Sequence, residues 1–392
     1  MFQTQPHPGL RRPARAPAPP TGALGSTDAR NVRPPLARMR VAATGLGAAL
    51  LVLAIAAPGA QAATNPAPTH PCATGAVTMA AWPTVCKRPY ASTSPFNRRI
   101  DAAPRVHTGS AGIVTRLMGF GTPNNLIAGD SGTTSDWAHP TYYPTASDPL
   151  FTLDCTEPWG RCAIEGMKVR VPDAARAAGG SDGHMTIIDQ VGGWEYDLWA
   201  VTSKPRGGGT IKFGWGGRTR LDGAGLDSDG TASRVGNLAG IIRAHEMQAG
   251  RIDHALFMTI NCDSGTWVYP AMKNGRPCAD KNNAPPMGTR FQLNMTPAEI
   301  DALTVPTWKK TILRAMAEYG MYFGDTGSSA WGLQFESGST YTAFGLADPL
   351  VDFGARNSVP SWQGQRIFDL KSGVDYAKRL RVLDPCTAQG TC

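Results

Sequence analysis

Two repeat lengths organise the apolar positions of this chain, and the shorter one dominates. His184-Met-Thr-Ile-Ile-Asp189 is apolar and β-branched, and Trp194-Glu-Tyr-Asp-Leu-Trp-Ala-Val201 follows it across Gln190-Val191-Gly192-Gly193. Two such runs joined through glycine predict a hairpin. Alternation along the second run puts Trp194, Tyr196, Leu198 and Ala200 on one face and Glu195, Asp197, Trp199 and Val201 on the other. Further short runs predict strands at Thr210–Trp215, His254–Ile260, Trp267–Tyr269, Arg290–Leu293, Met321–Phe323, Trp331–Phe335 and Tyr341–Phe344.

Helical spacing is scarcer. Thr296 and Glu299 have the spacing of a capping box, with Pro297 at the first helical position and Met295 placed to staple onto Ile300. Pro306 ends that helix. A second spans about Thr307 to Tyr319, with Trp308, Ile312, Leu313, Met316 and Tyr319 on one side and Lys309, Lys310, Arg314 and Glu318 on the other, before Gly320. A short helical turn is expected near Ala244–Ala249. Many short strands, Gly-rich turns and two or three helices predict a mainly β fold, an antiparallel β-sandwich of jelly-roll type.

The N-terminus is read apart from the fold. Val41–Ala57 is an apolar run preceded by Arg38 and Arg40, and Ala60-Gln61-Ala62 fits a small-x-small cleavage rule. Residues 1–62 are therefore expected to be an export signal, with Met39 an alternative start. Residues 63–89 are expected to be an extended, cysteine-bearing lead-in, and 90–392 one sandwich domain. This segmentation changes the meaning of the charge. The 392 residues carry a formal charge of +8. Residues 1–62 hold seven Arg and one Asp, which is +6, and leave 31 basic against 29 acidic residues, which is +2, for the remainder. A basic nucleic-acid surface is not supported. The mature chain is expected to be secreted, off the membrane and monomeric.

All eight cysteines fall after the signal. Nearest-neighbour pairing predicts Cys72–Cys86, Cys155–Cys162, Cys262–Cys278 and Cys386–Cys392, as suits an exported protein. No Cys-x-x-Cys occurs, which argues against a zinc–thiolate site. Asp227-Ser-Asp229-Gly230 opens like a calcium loop, but Leu238 stands where the twelfth-position Glu belongs. A looser structural calcium site from Asp222, Asp227 and Asp229 stays open. No cofactor is otherwise expected, since nucleophile-elbow, zincin and phosphate-loop motifs are absent.

The candidate chemistry rests on carboxylates and imidazoles near strands. Glycosidic cleavage needs two carboxyls at a set separation, and Asp197 and Asp325 are the pair selected. Asp325 stands at a strand end before Thr326-Gly327, with His184 and His254 as supporting groups. Trp199, Trp215 and Trp331 are candidate stacking residues for sugar rings, and Tyr196 and Tyr322 candidate substrate contacts. A polysaccharide lyase would use the same cleft differently, with His184, His254, Tyr196 or Tyr322 abstracting a proton beside a uronate. A non-catalytic glycan- or cell-wall-binding protein is the alternative from another class. The expected partner in each case is a polysaccharide.

Six segments occur in a recognisable order: Ser181-Asp-Gly-His-Met-Thr-Ile-Ile-Asp189, Tyr196-Asp-Leu198, Leu238-Ala-Gly-Ile-Ile-Arg243, Gly250-Arg-Ile-Asp-His-Ala-Leu256, Pro285-Pro-Met-Gly288 and Tyr319-Gly-Met-Tyr-Phe-Gly-Asp-Thr-Gly327. Over roughly residues 90–350 the chain resembles a group of secreted bacterial proteins common in actinobacteria. The resemblance implies kinship and export, not a reaction. It also implies that His184, Asp197, His254 and Asp325 share one site. Where the group often reads Tyr-Glu-Leu, this chain has Tyr196-Asp197-Leu198, one methylene shorter at the carboxylate.

Overall fold

A computed structural model describes residues 88–129, 136–327 and 329–392. The expected export segment, Met39, nearly all of the expected lead-in and the expected Cys72–Cys86 pairing lie outside the described residues. The strands are β1 (Leu126–Ala128), β2 (Thr141–Tyr142), β3 (Leu150–Cys155), β4 (Lys168–Arg170), β5 (Met185–Asp189), β6 (Trp194–Ser203), β7 (Gly209–Arg220), β8 (Leu256–Ile260), β9 (Arg290–Leu293), β10 (Met321–Thr326), β11 (Trp331–Leu333), β12 (Ser361–Trp362), β13 (Gln365–Phe368) and β14 (Leu380–Val382). They form three sheets, ordered β2-β5-β6-β7-β3-β4, β11-β8-β10-β9-β14 and β1-β13-β12. The fold is mainly β.

The hairpin β5–β6 forms as predicted, with Ile187 opposite Tyr196 and Thr186 opposite Asp197, and β7 continues it antiparallel. The pairing is not antiparallel throughout. The ladders β2–β5, β3–β7 and β8–β10 are parallel, so both larger sheets are mixed. These strands are far apart in sequence, and hairpin signals report only neighbours.

Helices number more than the two or three expected. The described residues hold α1 (Ser110–Phe120), α2 (Ala244–Ala249), α3 (Pro297–Ala302), α4 (Thr307–Glu318), α5 (Ser339–Thr342), α6 (Pro349–Arg356), α7 (Tyr376–Arg379) and α8 (Cys386–Gln389). The capping box of α3 is present: Glu299 N–H donates to Thr296 Oγ1 at 3.2 Å, and Thr296 N–H to Glu299 Oε2 at 2.8 Å. Helix α4 buries Trp308, Ile312, Leu313 and Met316 as its pattern requires. Lys309, expected on its outer side, is 1% exposed, with its ammonium on the Ser372 carbonyl. Tyr341–Phe344 is no strand. Its first half is α5, because Tyr341 spends its hydroxyl on Glu336 and the backbone turns on Gly338. Trp267–Tyr269 makes a single bridge to Met287 instead of a ladder.

Three large apolar clusters fill the interior, and a fourth, small one surrounds the Cys262–Cys278 disulfide. One lies on the six-stranded sheet and includes Phe151, Leu153, Ile187, Leu198, Ile211 and Phe213. A larger one packs β8–β11 and β13 against α1, α4 and α6. The third joins Ile188 of β5 to Phe257 of β8 and Tyr322 of β10 through Val235, Leu238 and Ala239. Those last three belong to the long connection 221–243, which carries much of the polar structure described below.

Three disulfides close among the described residues, Cys155–Cys162, Cys262–Cys278 and Cys386–Cys392. No helix among these residues is long and apolar enough to cross a membrane. The double substitution Cys262→Ser with Cys278→Ser is expected to cost about 3 kcal/mol, the loop-closure value for a ring of about this size. A fall in the denaturant midpoint measures it, and an unchanged midpoint contradicts it.

Candidate functional site

Glu195 and Asp197 stand two apart on β6 and so share a face. Neither is exposed to solvent. The segment 221–243 covers them and supplies their hydrogen bonds. Ser228 Oγ donates to Asp197 Oδ2 at 2.6 Å, and Asn237 N–H to the same oxygen at 3.3 Å. Thr186 Oγ1 on β5 donates to Oδ1 at 3.2 Å. Glu195 takes the Leu238 N–H at 2.9 Å and the Tyr90 hydroxyl at 2.7 Å. Glycines permit this closeness. A Cβ on Gly230 would collide with Asp197 Cβ, and one on Gly217, opposite Asp197, with the Asp229 amide.

Burial pushes both carboxyls up, and the charge of Asp197 further opposes ionisation of Glu195. Asp197 is pushed to about 6 by burial, against the pull of its hydrogen-bond donors. Glu195 rises well above the usual range, through burial and then the charge of Asp197. Glu195 therefore keeps its proton and donates it to Asp197. Tyr90 is likewise held protonated by burial and by the two acids.

His139 and His184 lie beside this pair, their ring centroids 4.1 Å apart. Burial lowers His184 to about 4, and His139 well below its usual value. Both rings are neutral at pH 7. His254 has a different setting. Its Nε2 meets Glu246 Oε1 at 2.9 Å and its Nδ1 the Ala255 carbonyl at 2.9 Å. Arg243 binds the same Glu246 oxygen at 2.7 Å. Burial opposes ionisation of Glu246, but Arg243 and His254 outweigh it and hold this carboxyl well below its usual range. Glu336 receives the Tyr341 hydroxyl at 3.0 Å and is pushed by burial to about 7. His254 thus belongs to a structural ion cluster, and no hydrogen bond joins it to Asp197 or Asp325 among the described residues.

Asp325 sits nearer the surface. The β8–β10 register shifts between Phe323 and Asp325, which turns the end of β10 outward. Its carboxylate accepts the Thr326 N–H at 2.6 Å and the Ala232 N–H at 3.2 Å. The stretch Ser228–Ala232 therefore touches Asp197 at one end and Asp325 at the other. Burial pushes Asp325 to about 6, and the charge of Asp182 adds to the rise. Asp182 is tied to β6, since its carbonyl accepts the Ala200 N–H at 2.7 Å. Beside it, Trp137 is 48% exposed, with its indole N–H 3.5 Å from Ser181 Oγ. Asp229 is raised by burial and pairs with Arg234 at 2.8 Å. The more open acids are thus Asp325, Asp182 and Asp229, and of these Asp182 follows Ser181, the contact of the exposed Trp137 indole.

Several expected residues fall elsewhere. Trp331 is fully buried, edge-on to Tyr376 at 5.2 Å, and cannot stack a sugar. Tyr322 is 1% exposed and packs on Phe96. Tyr196 is in the core of the six-stranded sheet. Trp199 and Trp215 do meet as register partners, and Trp159 lies against both. The calcium trio does not converge: Asp222 pairs with Arg220, and Asp227 and Asp229 with Arg234. Among the described residues no group of three or more His, Cys, Asp or Glu could hold a metal. Glu195, Tyr90, Asn237, His139, Trp137 and Trp159 escaped selection from sequence. The i, i+2 spacing of Glu195 and Asp197 in an otherwise apolar strand was the available signal for the buried pair.

No protein-family model, curated protein or solved structure matches this chain.

The raised carboxyls fix a pH dependence. Asp197 titrates near 6 when folded and near its ordinary value when unfolded, so between about 4 and 6 the folded state holds more protons. The stability this group contributes is present below about pH 4 and is lost as pH rises through about 6. Removing the ionisable group removes that loss. The Tm of Asp197→Asn relative to wild type is expected to climb from pH 4 to pH 7, whatever the constant offset from the altered hydrogen bonds. Parallel Tm profiles for the two proteins would contradict it.

Proposed function

We propose that this chain is an exported carbohydrate-active enzyme, a glycoside hydrolase acting on an extracellular polysaccharide or cell-wall glycan. The observation that carries the reading is Asp325, raised by burial and near enough to Asp182 to feel its charge, with the exposed indole of Trp137 against the adjacent Ser181. Hydrolysis through an oxocarbenium-like transition state needs one carboxyl that is protonated near neutrality and a second carboxyl at the same sugar. Asp325, raised to about 6, fits the acid that protonates the leaving oxygen. Asp182 is the second carboxyl in this reading, and Asp229 lies within the same loop system. Asp197 becomes a positioning residue. It holds Ser228, and through the Ser228–Ala232 stretch it sets the amide that Asp325 accepts.

Export is supported by the apolar run with its small-x-small end and by the three disulfides. A jelly-roll-like apposition of the two larger sheets, in a monomer, completes the proposal. The third apolar cluster, which holds residues of both sheets, supports it.

The test is a screen of residues 63–392 against plant, algal and microbial polysaccharides, following reducing ends and unsaturated-uronate absorbance together. New reducing ends without absorbance are expected. The rate should fall as pH rises above about 6, where Asp325 loses its proton, and Asp325→Asn should reduce it at least about a hundredfold. Absorbance accompanying the reducing ends would shift the reading to a lyase. Silence on every polymer, or wild-type turnover by Asp325→Asn, would overturn it.

A further inference from the structure

Trp159 is 58% exposed and sits in the loop closed by the Cys155–Cys162 disulfide. That loop is fixed at several points. Past the end of β3, Thr156 N–H donates to the Phe213 carbonyl at 2.8 Å and Glu157 N–H to that of Gly214 at 3.1 Å. Cys155 N–H donates to Glu165 Oε2 at 2.6 Å. The parallel β3–β7 pairing is thereby extended along β7 toward Trp215. The Trp159 ring lies 5.5 Å from that of Trp199, at an interplanar angle of 27°, and 5.7 Å from that of Trp215. Trp199 and Trp215 are cross-strand partners and only half-buried. A Cβ at Gly214 would come within 2.9 Å of Trp199 Cζ3, so glycine leaves room for that indole to lie across β7.

Three indoles in contact, the outermost more than half exposed, leave one broad aromatic face in water. Such a surface is costly unless something covers it, and the disulfide removes the freedom to fold it away. The ionisable neighbours along the loop and β7 are Asp154, Glu157 and Glu165 against Arg161, Lys212, Arg218 and Arg220; Arg220 is neutralised by Asp222, which leaves three acids to three bases. No positive surplus exists to hold a polyanion. Trp199 is followed by Ala200, whose N–H binds the Asp182 carbonyl, so the stack lies one residue along β6 from the backbone that anchors Asp182.

We propose that Trp159, supported by Trp199 and Trp215, is a stacking subsite for the C–H face of a pyranose in a neutral polysaccharide, on the strand that anchors Asp182. This rests on the carbohydrate-active reading, but its test does not require turnover. The full mature chain carrying Asp325→Asn is incubated with insoluble β-glucan, xylan and chitin, and the bound fraction is measured with and without Trp159→Ala. Retention on at least one polymer is expected, weakened about tenfold or more by Trp159→Ala and largely restored by Trp159→Tyr. Cys155→Ser with Cys162→Ser, which frees the loop, should weaken it several-fold. An unchanged Tm in Trp159→Ala separates lost binding from lost folding. Retention that ignores Trp159→Ala, or no retention on any polymer, overturns the subsite even if soluble substrates are cleaved. Trp159-dependent retention, together with no cleavage of any polymer by the chain with Asp325 intact, upholds the subsite and refutes the hydrolase.

Discussion

The hydrogen-bonded acid pair Glu195–Asp197 is the constraint from which much of the architecture follows. Two carboxyls buried side by side are unfavourable unless protons and donors are supplied to them. The protein answers with one retained proton and donors from three elements: Tyr90, Thr186 on β5, and the 221–243 connection. That connection has no regular structure over most of its length, yet it passes through the interior. Its backbone is held there because the acids accept its amides and Ser228 hydroxyl, and because Gly230 and Gly217 allow contact without side chains.

The second buried polar layer works on the same rule with a different balance. Around Arg243 the charges are paired, and the carboxylate of Glu246 is held well below its usual range between the Arg243 guanidinium and the His254 ring. Around Glu195 no cation lies within ion-pair distance among the described residues, and the group stays protonated. The two layers sit along one continuous path: His139 bridges to Glu336, and Asn237 joins Thr186 to the segment that leads into Arg243. Losing one partner in such a network leaves others unsatisfied, which is why single deletions there cost more than any one hydrogen bond suggests.

Much of the sheet content could be read from the sequence because neighbouring strands announce themselves. The β5–β6 hairpin, the start of β7, and β9, β10 and α2–α4 follow from alternation, turns and caps within a dozen residues. The parallel ladders could not be read that way, since β3 meets β7 and β8 meets β10 only after long excursions. Helix α6 carried a legible start, Asp348 before Pro349, with the Asp348 carboxylate on the Leu350 and Val351 amides, but no long apolar stripe to accompany it. For the site, the residue types were legible and their depth was not. Trp331 and Trp159 look alike in sequence, yet one is a core side chain and the other faces water. What separates them is tertiary: Trp331 pairs with the central β8, whereas Trp159 rides a loop beyond the end of a strand. Likewise Asp197 and Asp325 both sit on strands, but a bulge turns only the second outward.

The three disulfides among the described residues separate two problems that the folding chain must solve in order. Their sequence separations are 7, 16 and 6 residues. Each cysteine meets its partner within a segment short enough to close by local diffusion, long before residues as distant as those of β8 and β10 find one another. Correct oxidation therefore needs no prior sheet. Such cross-links can close in chain order, and the slow search for parallel partners then proceeds among loops that can no longer exchange them.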